Sequence, residues 1–136
     1  MTKNTSKNSY ISSLGRRKSA IATIKLFTGK GESMVNKIDL IKYFPTKTEK
    51  IIYEKPFEVT KTLGKYYYQA KITGGGKTGQ VQALSLAISR ALIKINELFK
   101  PDLRFVGLLT VDSRVKERRM VGTGGKSRRQ KQSPKR

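Results

Sequence analysis

This chain of 136 residues has no cysteine, no histidine and no tryptophan. Without cysteine there are no disulfides and no thiolate metal sites, and a zinc finger is impossible. Without histidine the commonest general base and the commonest metal ligand are missing. Acidic residues are scarce as well. The nine are Glu32, Asp39, Glu49, Glu54, Glu58, Glu97, Asp102, Asp112 and Glu117. They are scattered, and no pair has a spacing suited to acid–base work. The expectation is therefore a protein with no enzyme activity, no metal and no cofactor. No apolar run approaches the ~20 residues that cross a bilayer. A polybasic chain without a lipid or apolar anchor binds membranes weakly, so no membrane partner is expected.

What the chain does have is positive charge: 30 Lys and Arg, giving a formal net charge of +21. Arg114 to Arg136 alone holds ten basic residues against one acid, Glu117, and from Gly122 onward there is no Ala, Val, Leu, Ile, Met or aromatic residue. Such a segment has nothing to bury and cannot fold on itself. Its charges repel until a polyanion neutralises them. Fully extended at ~3.3 Å per residue, residues 122–136 reach ~50 Å. Lys126, Arg128, Arg129, Lys131, Lys135 and Arg136 string charge along that length. Interleaved glycines and the lack of aromatics suit threading between phosphates rather than reading bases. The body shares the excess, with twenty basic residues against eight acidic before Arg114. Both parts face a nucleic acid. Apolar residues make up 36%, enough for one core upstream of Gly122. The organisation read from this is a loose arm over 1–13, a globular RNA-binding domain over 14–121, and an extended basic tail over 122–136. The arm is rich in Lys, Ser, Thr and Asn with no hydrophobic stretch, so it does not read as a secretory signal.

Within the body, Ser19 to Phe27 alternates as a strand, with Ala20, Ala22, Ile24 and Leu26 on one face. Thr28-Gly29-Lys30-Gly31 reads as a turn, with Glu32 to Val35 returning as a hairpin partner. Leu40 to Phe44 is a helical turn stopped by Pro45. Thr46 with Glu49 forms a capping box for a short helix to about Glu54, closed by Pro56. Lys65 to Thr73 is a second strand, with Tyr66, Tyr68, Ala70 and Ile72 on one side. After Gly74-Gly75-Gly76 comes the clearest helix, about Gly79 to Phe99, with Val81, Leu84, Ile88, Ala91, Leu92 and Ile95 at helical spacing. Pro101 opens a further short helix ending near Gly107. Leu108 to Val111 reads as a strand entering the tail. The fold class is α+β, helices layered on a small sheet.

Three groups of residues invite chemistry. Strand, glycine loop Gly74-Gly75-Gly76-Lys77-Thr78, then helix is the context of a phosphate-binding loop. A Walker loop needs a further glycine five residues before Gly76, where Lys71 stands, so a cradle for one RNA phosphate fits better than a triphosphate site. Gly15-Arg16-Arg17-Lys18 is a cationic knot suited to phosphate contact. Arg118 and Arg119 sit where the last strand leaves the core, and Arg suits bidentate phosphate contact. Tyr66 and Tyr68 read as half-buried sheet residues, while Tyr67, on the opposite face, is open to base stacking. A nucleotide hydrolase and a general nucleic-acid chaperone remain alternatives on these residues alone.

Taken together, Gly15-Arg16-Arg17-Lys18-Ser19-Ala20, Ile72-Thr73-Gly74-Gly75-Gly76 with Gly79-Gln80, Ser89-Arg90-Ala91-Leu92, and Asp112-Ser113-Arg114 running into Glu117-Arg118-Arg119 closely resemble the ninth protein of the small ribosomal subunit, bacterial or organellar type. The resemblance covers Leu14 to Arg136. It implies a four-stranded sheet with helices packed on it and a left-handed β-α-β unit like that in the second domain of the fifth small-subunit protein. It implies binding to small-subunit rRNA in the head of the particle. The residues implied are Arg16, Arg17, Lys18, Gly74, Gly75, Gly76, Lys77, Arg114, Arg118, Arg119, Lys126, Arg128, Arg129 and Lys131. It further implies that the tail reaches the P-site tRNA, with Lys135 and Arg136 at its backbone, and that other head proteins are neighbours. The family tail usually ends Pro-Gln-Phe-Ser-Lys-Arg. Here Gln132-Ser133-Pro134-Lys135-Arg136 lacks the Phe, and Met120 stands where a basic residue is common. Bacterial cytoplasm and plastid (chloroplast) stroma are both open, and twice as many Lys as Arg leans toward an organelle.

Overall fold

The computed structural model describes residues 9–121. Five strands form one sheet in the order β1-β2-β5-β3-β4. They are β1 Tyr10–Arg17, β2 Ala20–Thr28, β3 Met34–Val35, β4 Ile38–Asp39 and β5 Tyr66–Thr73. The helices are α1 Leu40–Tyr43, α2 Lys47–Val59, α3 Lys77–Ile95 and α4 Lys100–Phe105, with a 3-10 turn Glu97–Phe99 before the last. The class is α+β, as the pattern of elements predicts, but the sheet has five strands where four were expected.

The period-two alternation of β2 and β5 settles which face is covered. Ala20, Ala22, Ile24 and Leu26 are buried, as are Tyr68, Ala70 and Ile72. Helix α3 packs across this face, and α2 packs on α3. Leu84, Ile88 and Leu92 complete the core. Phe57 of α2 stacks on Tyr68 with ring centroids 6.2 Å apart. The other face of the sheet carries Thr23, Lys25, Gln69 and Lys71, all exposed.

Four expectations are corrected. First, the residues read as a loose arm contain the start of β1: Tyr10 to Ser13 pair antiparallel with Phe27 to Ile24. The strand hides from a hydrophobic-periodicity reading because its covered positions, Ser13 and Gly15, are the small ones, while Tyr10 and Leu14 are exposed. Helix α3 lies so close that a methyl group on Gly15 would sit 2.1 Å from the Ala83 carbonyl oxygen. Ser13 Oγ donates to the Ala87 carbonyl. Second, β3 does not return along β2. It runs parallel to β5 and pairs with β4 across a two-residue turn. The Asn36 side chain extends that short parallel ladder, accepting from Ile72 N–H at 2.9 Å and donating to Ile72 O at 3.0 Å. Third, α2 runs through Pro56 to Val59. A proline forfeits one helical hydrogen bond. Here the buried Pro56 and Phe57 offset that loss, since burying a large apolar side chain contributes ~1.5–3 kcal/mol. The capping box is present, with Thr46 N–H donating to Glu49 Oε2 at 3.2 Å. Fourth, Leu108 to Val111 is not a strand. Leu108 and Leu109 instead pack on the core from outside. Helix α3 stops at Ile95, because Asn96 turns extended and accepts from the N–H of Leu98.

Candidate nucleic-acid interface

Adjacent residues on a strand point to opposite faces, and this divides the cationic knot. Arg16 is exposed, on the uncovered face of the sheet. Lys18, in the turn between β1 and β2, is exposed and holds a left-handed backbone (φ 52°). Arg17 points toward α3 and is only 15% exposed. Its Nε donates to Gln82 Oε1 at 2.9 Å and its Nη1 to the Arg114 carbonyl at 2.8 Å. Its Nη2 lies 3.2 Å from Asp112 Oδ2. Arg17 is thus a latch between the helical layer and residues 112–114 rather than an open phosphate hook.

The glycine loop abuts the same turn. A methyl group on Gly74 would meet the Ser19 carbonyl oxygen at 2.3 Å, and the residue holds φ 73°, so only glycine fits without strain. Gln80 Nε2 donates to the Gly74 carbonyl at 3.0 Å, and Tyr43 OH donates to Gln80 Oε1 at 3.0 Å. Gly76 and Lys77 open α3, and no side chain caps its N-terminus. Lys77 is exposed, and its ammonium is held over α1. Its ammonium donates to the Tyr43 carbonyl at 3.0 Å and sits 3.4 Å from the centroid of the Tyr43 ring. A P-loop lysine pointing at a nucleotide is therefore not what this loop presents.

Residues 112–114 continue the corner. Arg114 donates to Asp112 Oδ1 from its backbone N–H and its Nε, both at 3.0 Å, and its Nη2 donates to Asp112 Oδ2 at 2.8 Å. These hydrogen bonds, with the nearby Arg17 charge, hold the Asp112 carboxyl well below the usual carboxylate range, and the same contact raises Arg114. Beyond the latch, Arg118 and Arg119 are exposed. The tail residues Lys126, Arg128, Arg129, Lys131, Lys135 and Arg136 lie outside the described residues. The turn, the glycine loop and residues 112–114, far apart in sequence, thus meet at one end of the sheet. Sequence reasoning missed the roles of Gln82, Gln80 and Tyr43, whose types carry no signal. Asp112-Ser113-Arg114 was visible as a motif but not as the partner of Arg17.

Tyr67, open to base stacking on the sequence, is already engaged. Phe27 stacks on its ring at 5.1 Å between centroids, and a methyl on Gly31 would fall 2.7 Å from it. Among the described residues no cluster of acidic side chains could hold a metal ion. No helix among them is long and apolar enough to cross a membrane.

A basic α+β domain with a glycine-lined, cation-rich corner and no catalytic constellation belongs to the class of nucleic-acid-binding structural proteins. Residues 15–136 match the family described as ribosomal protein S9/S16. The chain is 48% identical over 122 residues to the small ribosomal subunit protein uS9 of Methylacidiphilum infernorum, covering 90% of each. It is 47% identical over 115 residues to uS9 of Ureaplasma parvum serovar 3, covering 85% of this chain and 86% of that one. To uS9 of Cytophaga hutchinsonii it is 42% identical over 112 residues, covering 82% and 88%. The chain belongs to the ribosomal protein S9/S16 family, as the motifs of its sequence suggested. It is a structural constituent of the small ribosomal subunit, serves translation, and is not an enzyme.

Proposed function

We propose that the body anchors on folded rRNA in the head of the small subunit and that the tail carries the contact onward to P-site tRNA. The observation that supports this most is the convergence of Arg16, Lys18, the glycine loop and Arg114 at one corner, from which Arg118 and Arg119 lead away. The one carboxylate there, Asp112, is already paired with two arginines. The 1–13, 14–121 and 122–136 organisation follows the same logic, with the arm shortened by the residues β1 uses. Gly75 and Gly76 keep the loop slim enough for a phosphate to approach, and Arg17 and Lys77 support that surface from behind. Lys126, Arg128, Arg129 and Lys131 then neutralise successive phosphates, and Lys135 and Arg136 meet the tRNA backbone. Exposed Leu98 and Phe105 suit contact with neighbouring head proteins. The crossover from β3 through α1 and α2 to the parallel β5 is the unit we assign a left hand, against the usual right-handed rule. The relatives above are bacterial, which favours the bacterial cytoplasm over the plastid stroma suggested by lysine usage.

Deleting Ser133 to Arg136 tests the tail. Small subunits carrying the shortened chain should assemble normally and bind P-site tRNA more weakly. Unchanged tRNA affinity in such particles refutes the tail's role.

A further inference from the structure

The uncovered face of the sheet holds a groove of about 680 Å³ that the interface above does not use. It is lined by the polar Thr23, Lys25, Asn36, Lys37, Gln69 and Lys71 together with the apolar Met34 and Ala70. We infer that this groove is a second rRNA contact, in which Lys25, Lys37 and Lys71 grip a phosphodiester backbone. The inference rests on the rRNA-binding reading and names a separate surface for it.

Charge complementarity selects the occupant. The lining has three ammonium groups and no carboxylate. Among the described residues none of the three lysines has an ion-pair partner. Only Lys25 has an aromatic neighbour, with its Nζ 4.8 Å from the Tyr10 ring centroid. Of the nearby rings, Phe27 stacks on Tyr67 with centroids 5.1 Å apart, and Tyr10 packs tilted against Phe27 at 5.7 Å. Phe27 and Tyr67 are thus taken up by each other, and beside Met34 and Ala70 the groove offers charge and amide or hydroxyl groups that suit a sugar–phosphate strand.

The placement of Lys37 is a second, independent observation. Asn36 (φ 51°) and Lys37 (φ 66°) form the two-residue loop between β3 and β4. Both are left-handed, the geometry for which Asn-Gly is the favoured pair. Lysine in the glycine position is conformationally less favourable than glycine, and here it places an ammonium group at the groove. Asn36 fixes the loop to β5 through Ile72 and through its own N–H to the Ala70 carbonyl at 2.9 Å. The loop is thereby held beside Lys71, and Lys37 is presented on a rigid mount.

The test separates folding from binding. The full chain, Lys37→Gly, Lys71→Gln and the double variant are titrated against transcribed small-subunit rRNA over a range of salt. Lys37→Gly should melt at or above the wild-type temperature. Each single variant should nevertheless lose ~0.7–0.9 from the slope of log K against log salt, and the double variant about twice that. A wild-type chain that ignores the RNA defeats the parent reading and this one with it. A wild-type chain that binds, with a double variant of equal slope and affinity, overturns the groove alone. Protection of Lys37 and Lys71 from amine acylation in whole subunits, but not on bare RNA, assigns the groove to an acidic protein neighbour and overturns it too.

Discussion

Arg17→Gln removes the latch that holds residues 112–114 to the body, and its cost can be built from the contacts. Two short hydrogen bonds are lost, Nε to Gln82 at 2.9 Å and Nη1 to the Arg114 carbonyl at 2.8 Å, along with a long and weak third from Nη1 to the Asp112 carbonyl at 3.4 Å. At roughly 1 kcal/mol net for each short bond, the segment loses about 2 kcal/mol of hold. The ion pair to Asp112 lies at the surface, where such pairs contribute little, and is left out of the sum. Since 1.4 kcal/mol is a factor of ten, the open population should rise about thirty-fold. Native-state trypsin cleavage after Arg114 reads that population directly when opening is faster than cleavage. The cleavage rate should rise by about this factor while the melting temperature of the body falls little. Arg17→Lys discriminates further: it keeps the charge but not the planar fork that reaches Gln82 and Arg114 together. Cleavage of Arg17→Lys at the wild-type rate would refute the latch, because charge alone would then be enough.

Two further outcomes follow from the same geometry. Gly15→Ala drives a methyl group toward the Ala83 carbonyl oxygen 2.1 Å away and the Ala87 nitrogen 2.6 Å away, both backbone. Overpacking of that kind costs ~1–3 kcal/mol, so the melting temperature should drop by ~4 °C or more; an unchanged calorimetric transition contradicts the close α3–β1 contact. Asp112 has its carboxyl lowered by the hydrogen bonds from Arg114. A lowered acid contributes fully above its unfolded value of ~3.9 and loses that contribution only as pH falls through the lowered value. The Asp112–Arg114 contact should therefore persist at about pH 4, and a carbon-13 titration of Asp112 with an ordinary aspartate midpoint would sink this account.

How far the sequence foretells the fold depends on what each element buries. Strands β2 and β5 and helix α3 bury their apolar residues, so their periodicity shows. Strand β1 buries Ser13 and Gly15 against Ala83 and Ala87, and a contact made by small residues leaves no hydrophobic trace. The partner of β3 was unreadable because two residues set no register; a side chain, Asn36, does that work from a turn. Pro56 reads as a stop because local propensity is all a single sequence shows, while the tertiary burial that tolerates it is not. At the site, the residue types were legible and their partners were not. Arg16 and Arg17 look alike in sequence, and the pleat alone decides that one is exposed and the other is locked. Lys77 likewise looks like a phosphate ligand until Tyr43, thirty-four residues away, is seen beneath it.

The few acids of the body are not spread evenly, and their placement bears on how the domain meets RNA. Glu32, Asp39 and Glu54 line a hollow beside α1 and α2, where Lys42 and Lys50 pair with Asp39 and Glu54. The open sheet groove has no carboxylate, and the turn-and-glycine corner has only Asp112, which two arginines neutralise. Three of the body's acids thus share one hollow while the groove and the corner present cations, and that asymmetry adds a local dipole to the net charge of the domain. The net charge draws it toward any polyanion, whereas the dipole turns the groove and the corner to the phosphates before contact is made. Orientation of this kind acts on the rate and register of docking rather than on bare affinity.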